Sequence, residues 1–532
     1  MMCDKEFNLL DEPWIMVLTT SGEREEIGLK EVFSRAHEIK SLAGEMETQN
    51  ASMFRLLLAI VYAVHLRKDS EGNDLIMDDE TDAIEHWRSL WSRGRFNSKL
   101  FDDYLEGYRE RFYLFHPERP FFQSIFDKGT EYTTAKIIGE LSEGGNKSKL
   151  FAPVSGKGKQ QASYAQSVRW LIHLNSFDDA ALKQQDKSDG SRSTKVGWLG
   201  RIGYVCINGG NLFEMLMLNM VLVDRTGEPM KDGKAIWEED STRTKERVTI
   251  PIPDSPVELL TVQFRRIFLI REDGAVVGCK VIAGDLFDQS CPNIEQMTMW
   301  KKEKDTGSWI PKLHDPAKSA WRDYPSLLVK GEDRMVPGVV GWASILERNG
   351  LIDSRDVSLS VLSVQYGSMM STIDDASSDS IEVNAKMLSE LGDGWNARIL
   401  DVLDRTEQCV KAYGAFRFKL FVLNGASEGE KDSIWRRVDQ DKRKIYFEMD
   451  DKFRTWLSSI VPDEDDMESR MNEWLVRILR PIMISTGQKA IDNSNLRSLF
   501  VRKQESEGSS LEELRRYKNT IYKITGGQNV NI

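Results

Sequence analysis

The chain has 532 residues, 40% of them hydrophobic, with 72 Lys and Arg against 84 Asp and Glu and a net charge of −12. This length exceeds the roughly 250–300 residues at which a single core stops growing, so two or more domains are expected, and the apolar content excludes a mainly disordered chain. The acidic balance excludes blanket attraction to a polyanion, so any nucleic-acid contact has to be local.

The charge is unevenly spread: from Leu391 onward 24 Lys and Arg face 23 Asp and Glu, which leaves 48 against 61 in the first 390 residues. The five cysteines are scattered without a CxxC, and the six histidines are equally dispersed, so no disulfide framework, metal or cofactor is expected. Leu56 to Val64, the longest apolar run near the N-terminus, falls far short of the ~20 residues that span a bilayer. Nothing before Phe7 has the basic-then-apolar pattern of a signal peptide, and a cytoplasmic chain without membrane association is expected.

In chain order, Trp14 to Leu18, Ser21-Gly22 and Glu26 to Leu29 read as strand, turn and strand. A helix apolar on most of its surface follows from about Ser52 to Leu66. Glu143 to Gln161 is a polar loop carrying Lys147, Lys149, Lys157 and Lys159. Gln184 to Gly203 is a second, with Lys187, Arg192, Lys195 and Arg201. Long loops of this kind are functional or simply solvated, and a helix from Ala162 to Leu174 holds their bases near one another. Short strands punctuated by Gly and Pro then follow, as in Val248 to Pro253 and Val262 to Ile270.

From Leu388 the pattern turns helical. Leu388, Leu391, Trp395, Ile399, Val402, Cys409, Tyr413, Phe416 and Leu420 share one helical face. Val438, Ile445, Met449, Phe453, Trp456 and Ile460 make a second such run, stopped by Pro462. Asp463 to Asp466 suit the positive end of a third helix, which carries Met467, Met471, Trp474, Ile478 and Ile482, with Pro481 a candidate kink. A fourth, Leu511 to Ile524, opens after Ser509-Ser510 with Glu513 placed for a capping box. The fold class expected is therefore an α+β (mixed α/β) domain over 1–380 followed by an all-α antiparallel four-helix bundle over 381–532.

Candidate catalytic patterns are incomplete. Val154 to Gly158 is like a phosphate loop, but Gly158 stands where Ser or Thr must bind magnesium. His314-Asp315 is the adjacent pair of a metal-dependent phosphohydrolase or nuclease, yet no spacing ties His116 or His173 to it. Asp374, Asp375 and Asp379 are carboxylates suited to Mg²⁺ in a Ser-rich stretch that also reads as a solvated linker. A stand-alone metal-dependent enzyme on His314-Asp315 is thus the alternative to a non-catalytic binder. On the helices, Arg436, Arg437, Lys442, Arg443 and Lys444 form a basic face that fits a phosphate backbone and equally fits a solvated helix surface.

Four segments in order carry a resemblance: Phe7 to Leu10 with Pro13-Trp14-Ile15; Phe112-Tyr113-Leu114 with His116, Pro120-Phe121 and Gln123; Asn208 to Leu212 leading into Leu216 to Asn219; and Tyr366 to Ile373. Together they are similar to the CasA family, the large subunit of the type I-E CRISPR surveillance complex Cascade. The resemblance implies a subunit that cuts nothing. It touches the 5′ handle of the guide RNA, recognises the protospacer-adjacent motif in target duplex DNA, helps start unwinding, and recruits a separate helicase–nuclease. Its partners are then guide RNA, duplex DNA, the other Cascade subunits and that nuclease.

By position, the resemblance puts Phe151, with Lys149, Lys157 and Lys159 around it, in the loop that meets guide RNA and the assembly. It puts Gly190 in the glycine-rich loop that lies against the minor groove. This chain departs from the pattern with a single glycine followed by Ser191-Arg192-Ser193, leaving Arg192 or Lys195 to take over part of the contact. Met370, beside Met369, stands where relatives carry a glutamine wedge. It keeps the apolar bulk of a wedge and loses the hydrogen bond. Some relatives carry a zinc element that Cys279 and Cys291 alone cannot build.

Overall fold

The computed structural model describes residues 5–127, 129–139, 160–180, 182–184, 191–240, 248–250, 252–287, 290–352, 356–370, 373–426, 430–492 and 509–526. At 182–184, 191–193, 248–250, 287 and 390–391 the description is of the backbone alone. The chain divides into two compact units, one of Met1–Leu351 with Ser358–Ser380 and one of Ile352–Val357 with Ile381–Ile532.

The first unit is built on the helix Glu47–His65, which is buried along nearly its whole length. It packs against the helices Tyr164–Phe177, Leu212–Asn219 and Pro256–Thr261. It starts five residues before the apolar run suggests, and its first polar residues hold the incoming chain: Gln49 Oε1 accepts the Glu45 amide at 3.0 Å and Asn50 Oδ1 accepts the Gly44 amide at 2.8 Å. Arg55, on this buried helix, makes a two-pronged pair with Glu295 at 2.9 and 2.8 Å. Trp198 Nε1 donates to the same carboxylate at 2.7 Å, and the Met297 amide at 3.0 Å, so the buried charge is fully bonded.

Small sheets surround these helices. Ile15–Thr19 pairs antiparallel with Arg24–Ile27, as the strand–turn–strand pattern predicts. Arg265–Glu272 and Ala275–Ala283 form a hairpin closed by Asp273 and Gly274, both at positive φ, the geometry that a two-residue turn between twisted strands requires. The four segments of the resemblance meet in pairs. Glu6–Asn8 pairs with Tyr113–Phe115, and Tyr204–Ile207, just before Asn208, pairs with Asp356–Tyr366, just before the methionine tip. Two expectations are corrected here. The Ser-rich stretch around Asp374 is strand, Ile373–Asn384, not linker, and it is buried only toward its end, at Ile381, Val383 and Asn384. Within the expected loop 184–203, Leu182–Gln184 pairs antiparallel with Ser191–Ser193 and Trp198–Arg201 forms a 3₁₀ turn.

The second unit is helical apart from strand ends. Glu390–Leu423 packs against Lys431–Ser458, Arg480–Asp492 and Ser510–Ile524. Trp395, Ile399, Val402, Cys409, Tyr413, Phe416 and Leu420 are all buried, the face that the period of 3.6 marks out. Ile434, Val438, Ile445, Met449, Phe453 and Trp456 are buried along the second helix. Asp466 caps the third by accepting the Ser469 amide at 2.8 Å.

Two details differ from the sequence pattern. The third helix passes through a π turn, Glu473–Leu479, just before Pro481, which widens the helix where the proline has no N–H to donate. The extra residue rotates the apolar face, so Leu475, Leu479 and Met483 are buried while Ile478 is only partly so. The capping box of the last helix is completed by Glu512, not Glu513, because Ser509 rather than Ser510 is the cap. Glu513 instead pairs with Lys419 at 3.0 Å.

Candidate nucleic-acid interface

Phe177 to Ala180 lead from the helix Tyr164–Phe177 into the hairpin 182–193, in which Lys183 and Arg192 face each other. Asp178 and Asp179 are buried, and both carboxylates receive the buried Lys136, the second at 3.2 Å. Arg265 Nε donates to Asp178 at 2.5 Å. Arg265 Nη2 donates to the carbonyls of Asp179 at 3.0 Å and Lys195 at 2.7 Å, so one guanidinium holds the segments on both sides of the hairpin. Lys195, the nearest described cation after the hairpin, is exposed.

The same footing holds the methionine tip. The Tyr366 hydroxyl donates to the Phe177 carbonyl at 2.7 Å, and the Ala180 amide donates to the Met370 carbonyl at 2.8 Å. Gly200 makes room for Tyr366, since a Cβ there would lie 2.1 Å from the hydroxyl oxygen. Met369 and Met370 both adopt left-handed backbone, φ 54° and 57°, at a cost of about 1–2 kcal/mol each for a residue with a side chain. They are 87% and 54% exposed, so neither side chain is buried in the core. Two consecutive strained residues that present bare thioethers to water are held there by the anchors on either side.

Behind the tip lies a cleft of about 560 Å³, lined among others by Lys195, Arg201, Leu313, His314, Gln365 and Met370. Lys195 and Met370, 175 positions apart in sequence, thus border one concavity. His314 is buried at its wall, but its partner is Asp323 at 2.6 Å rather than Asp315. Burial works against the charge on Asp323, and the His314 and Lys312 contacts outweigh it and hold that carboxyl below the usual range. Asp315 pairs with Lys318 at 3.0 Å, and Asp379 accepts the Ala320 amide at 2.6 Å. His116 accepts the amides of Glu118 and Arg119, and His173 bonds Thr48. The residues of the enzyme alternative therefore serve separate local structures. Among the described residues no group of three or more His, Cys, Asp or Glu converges.

The basic residues of the helix Lys431–Ser458 stand differently. Arg436, Arg437, Arg443 and Lys444 are exposed and Lys442 is half-buried. Lys442 pairs with Asp439 at 3.1 Å and Lys444 with Asp441 at 3.4 Å, contacts of small energetic weight at a surface. Two aromatics share the helix surface, Trp435 at 40% exposure under Lys442 and Phe447 at 86%. Sequence reading passed over both. Phe447 falls outside the apolar period of the helix, which is its signal, whereas Trp435 stacks on Phe418 of the helix Glu390–Leu423 at 4.9 Å. Asp178, Arg265, Lys136 and Tyr366 were missed as well, and nothing local marks them. Lys149, Phe151, Lys157, Lys159 and Gly190 lie outside the described residues, and Arg192 is described by its backbone alone.

Residues 8–482 match the family CRISPR-associated protein Cse1. The chain belongs to the Cse1 family. That agrees with the resemblance to the CasA large subunit drawn from the four segments. The curated CasA/Cse1 protein of Thermus thermophilus is 34% identical over 236 residues, 44% of this chain and 42% of that protein, so the matched stretch spans less than half of the curated relative. The crystal structure of Thermobifida fusca Cse1 has a TM-score of 0.81 at 23% identity, covering 98% of both chains. A chain of a CRISPR RNA-guided surveillance complex has a TM-score of 0.70 at 17% identity, covering 98% of this chain and 100% of that one. Likenesses at these identities show the fold alone, mixed helix and small sheets, over 98% of the chain. Among the described residues no helix is long and apolar enough to cross a membrane.

Proposed function

We propose that this Cse1-family chain is the non-catalytic large subunit of a Cascade complex and that it reads a short motif in duplex DNA. The hairpin 182–193 and the tip at Met369 and Met370 make the contact. Gly190 lets backbone approach the groove, Arg192 and Lys195 hold phosphates, and Met370 wedges apolar bulk beside a base pair. Lys149, Phe151, Lys157 and Lys159 serve the 5′ handle of the guide RNA and the assembly. Residues 381–532 form an antiparallel four-helix bundle whose basic face, Arg436 to Lys444, follows a nucleic-acid backbone. Unwinding starts at the wedge, and a separate helicase–nuclease is recruited to cut.

The observation that carries this reading is the pairing of two sequence-distant elements on one footing, with the exposed methionines held in strained backbone beside Lys195. Backbone strain persists where surrounding structure over-determines it, and such sites serve ligand contact. The test is equilibrium binding by the assembled complex to duplexes with and without the motif. Replacing Met369 and Met370 together by Ala is expected to weaken binding to motif-bearing duplex about tenfold and to motif-free duplex far less. Arg192→Ala should show the same bias. Equal losses on both duplexes would refute motif reading.

A further inference from the structure

Among the described residues, the segment Phe177–Ala180 is tied to four regions of the chain: Lys136, Gly197, Arg265 and the stretch Tyr366 to Met370. Three of these ties are neutral: the Tyr366 hydroxyl on the Phe177 carbonyl, the Ala180 amide on the Met370 carbonyl and the Gly197 amide on the Asp178 carbonyl. The others are a buried set of two cations and two anions, with side-chain exposures of 3% for Lys136, 0% for Asp178, 6% for Asp179 and 3% for Arg265. Such a cluster is a poor device for stability. Removing four charges from water costs several kcal/mol per ion, and packed apolar side chains of similar volume hold a core as well or better. What buried charges add is geometry, because each hydrogen bond has to be met in one arrangement or the penalty is paid in full. Here the arrangement being specified is the take-off of a hairpin with three residues in each strand, together with the position of a strained tip.

We propose that Asp178, Arg265, Lys136 and the Tyr366 hydroxyl form a positioning element that locks the paired strands Leu182–Gln184 and Ser191–Ser193 and the methionine tip into one unit, so that loosening one loosens the other. For its consequence in binding, the inference rests on the duplex-reading role proposed above; for the lock itself it does not. The lock sets the spacing between the cations beside the hairpin and the wedge, and that spacing is what separates one motif from another. None of the four residues need touch DNA.

Tyr366→Phe is the test, since it deletes one hydroxyl and keeps the ring that fills the space above Gly200. In the full chain, amide exchange at Leu182–Gln184 and Ser191–Ser193 is expected to rise about fivefold, the scale of one lost hydrogen bond, with the melting temperature little changed. In the assembled complex, the ratio of affinities for motif-bearing over motif-free duplex is expected to fall about threefold. In a Met370→Ala background the same substitution should lower that ratio no further, because the tip it positions is already gone. Asp178→Asn should likewise raise exchange in the hairpin strands and lower the affinity ratio, together with a loss of stability, because it leaves Lys136 and Arg265 buried with less counter-charge. Unchanged exchange in the hairpin with both variants overturns the lock, whatever the chain binds. Losses that multiply across Tyr366→Phe and Met370→Ala also overturn it, since independent contributions multiply. If exchange rises while neither Tyr366→Phe nor Met370→Ala moves the affinity ratio, the lock stands and the duplex-reading role falls.

Discussion

The hairpin footing and the helix Lys431–Ser458 use the same kind of charge in opposite ways. Lys136 and Arg265 are 3% exposed and bound to Asp178, whereas Arg436, Arg437, Arg443 and Lys444 lie in water. Arg55, 5% exposed, is likewise spent on Glu295. The first set shapes the surface that meets a ligand, and the second is available to meet one. A tally of Lys and Arg against Asp and Glu cannot separate these uses. In an acidic N-terminal region, buried pairs consume cations that the tally counts as free to attract phosphate.

The contrast can be broken most severely from the buried side. Glu295→Ala strands the Arg55 guanidinium and the Trp198 indole N–H away from water, and a loss of about 3–5 kcal/mol of stability in denaturant titration is expected. A loss below 1 kcal/mol would mean that the pair is less buried in solution than the structure has it. On the exposed side the effects are smaller and of another kind. Replacing Arg436, Arg443 and Lys444 together by Ala should leave the melting temperature in place. It should lower duplex affinity of the assembled complex about threefold, irrespective of motif, and flatten its salt dependence. A motif-dependent loss would assign those cations to sequence reading.

Histidine gives a third test, again of burial. Burial, with His86 nearby, pushes His65 down to about 3, against an ordinary value of about 6.5. The unfolded chain therefore binds a proton that the folded chain refuses, and stability falls as pH drops through 6.5 toward 3. Between pH 6.5 and 5, above the range where carboxylates titrate, His65→Gln should lower the slope of stability against pH by up to about 1.4 kcal/mol per unit. An unchanged slope would show that His65 is not buried neutral.

Much of the molecule was legible beforehand, and the reasons are local. The helices Glu47–His65, Tyr164–Phe177 and Glu390–Leu423 follow from runs of apolar residues that a period of 3.6 sorts onto faces. Boundaries moved where side chains of the first turn bond back to the chain, as with Gln49 and Asn50 after Glu47 and with the capping box of Ser509 and Glu512. The methionine tip was legible as a place but not as a shape, since nothing in Gly367-Ser368-Met369-Met370 announces two consecutive left-handed residues without a glycine. The pair His314-Asp315 misled because adjacency in sequence is not adjacency of side chains. Asp323, nine positions on, reaches the imidazole instead.

By itself, then, the sequence determined the helical elements, the acidic-to-neutral shift along the chain, and the four ordered segments that mark the Cse1 family. These depend on residues within a few turns of one another or on motif order. Only the tertiary structure decided which cations are spent and which are free to work, and that Lys136, Asp178, Arg265 and Tyr366 meet beneath one hairpin. The physical reason is that burial and long-range hydrogen bonds belong to the packed chain: the energy of a charge depends on what surrounds it, and those surroundings come from segments more than two hundred positions apart.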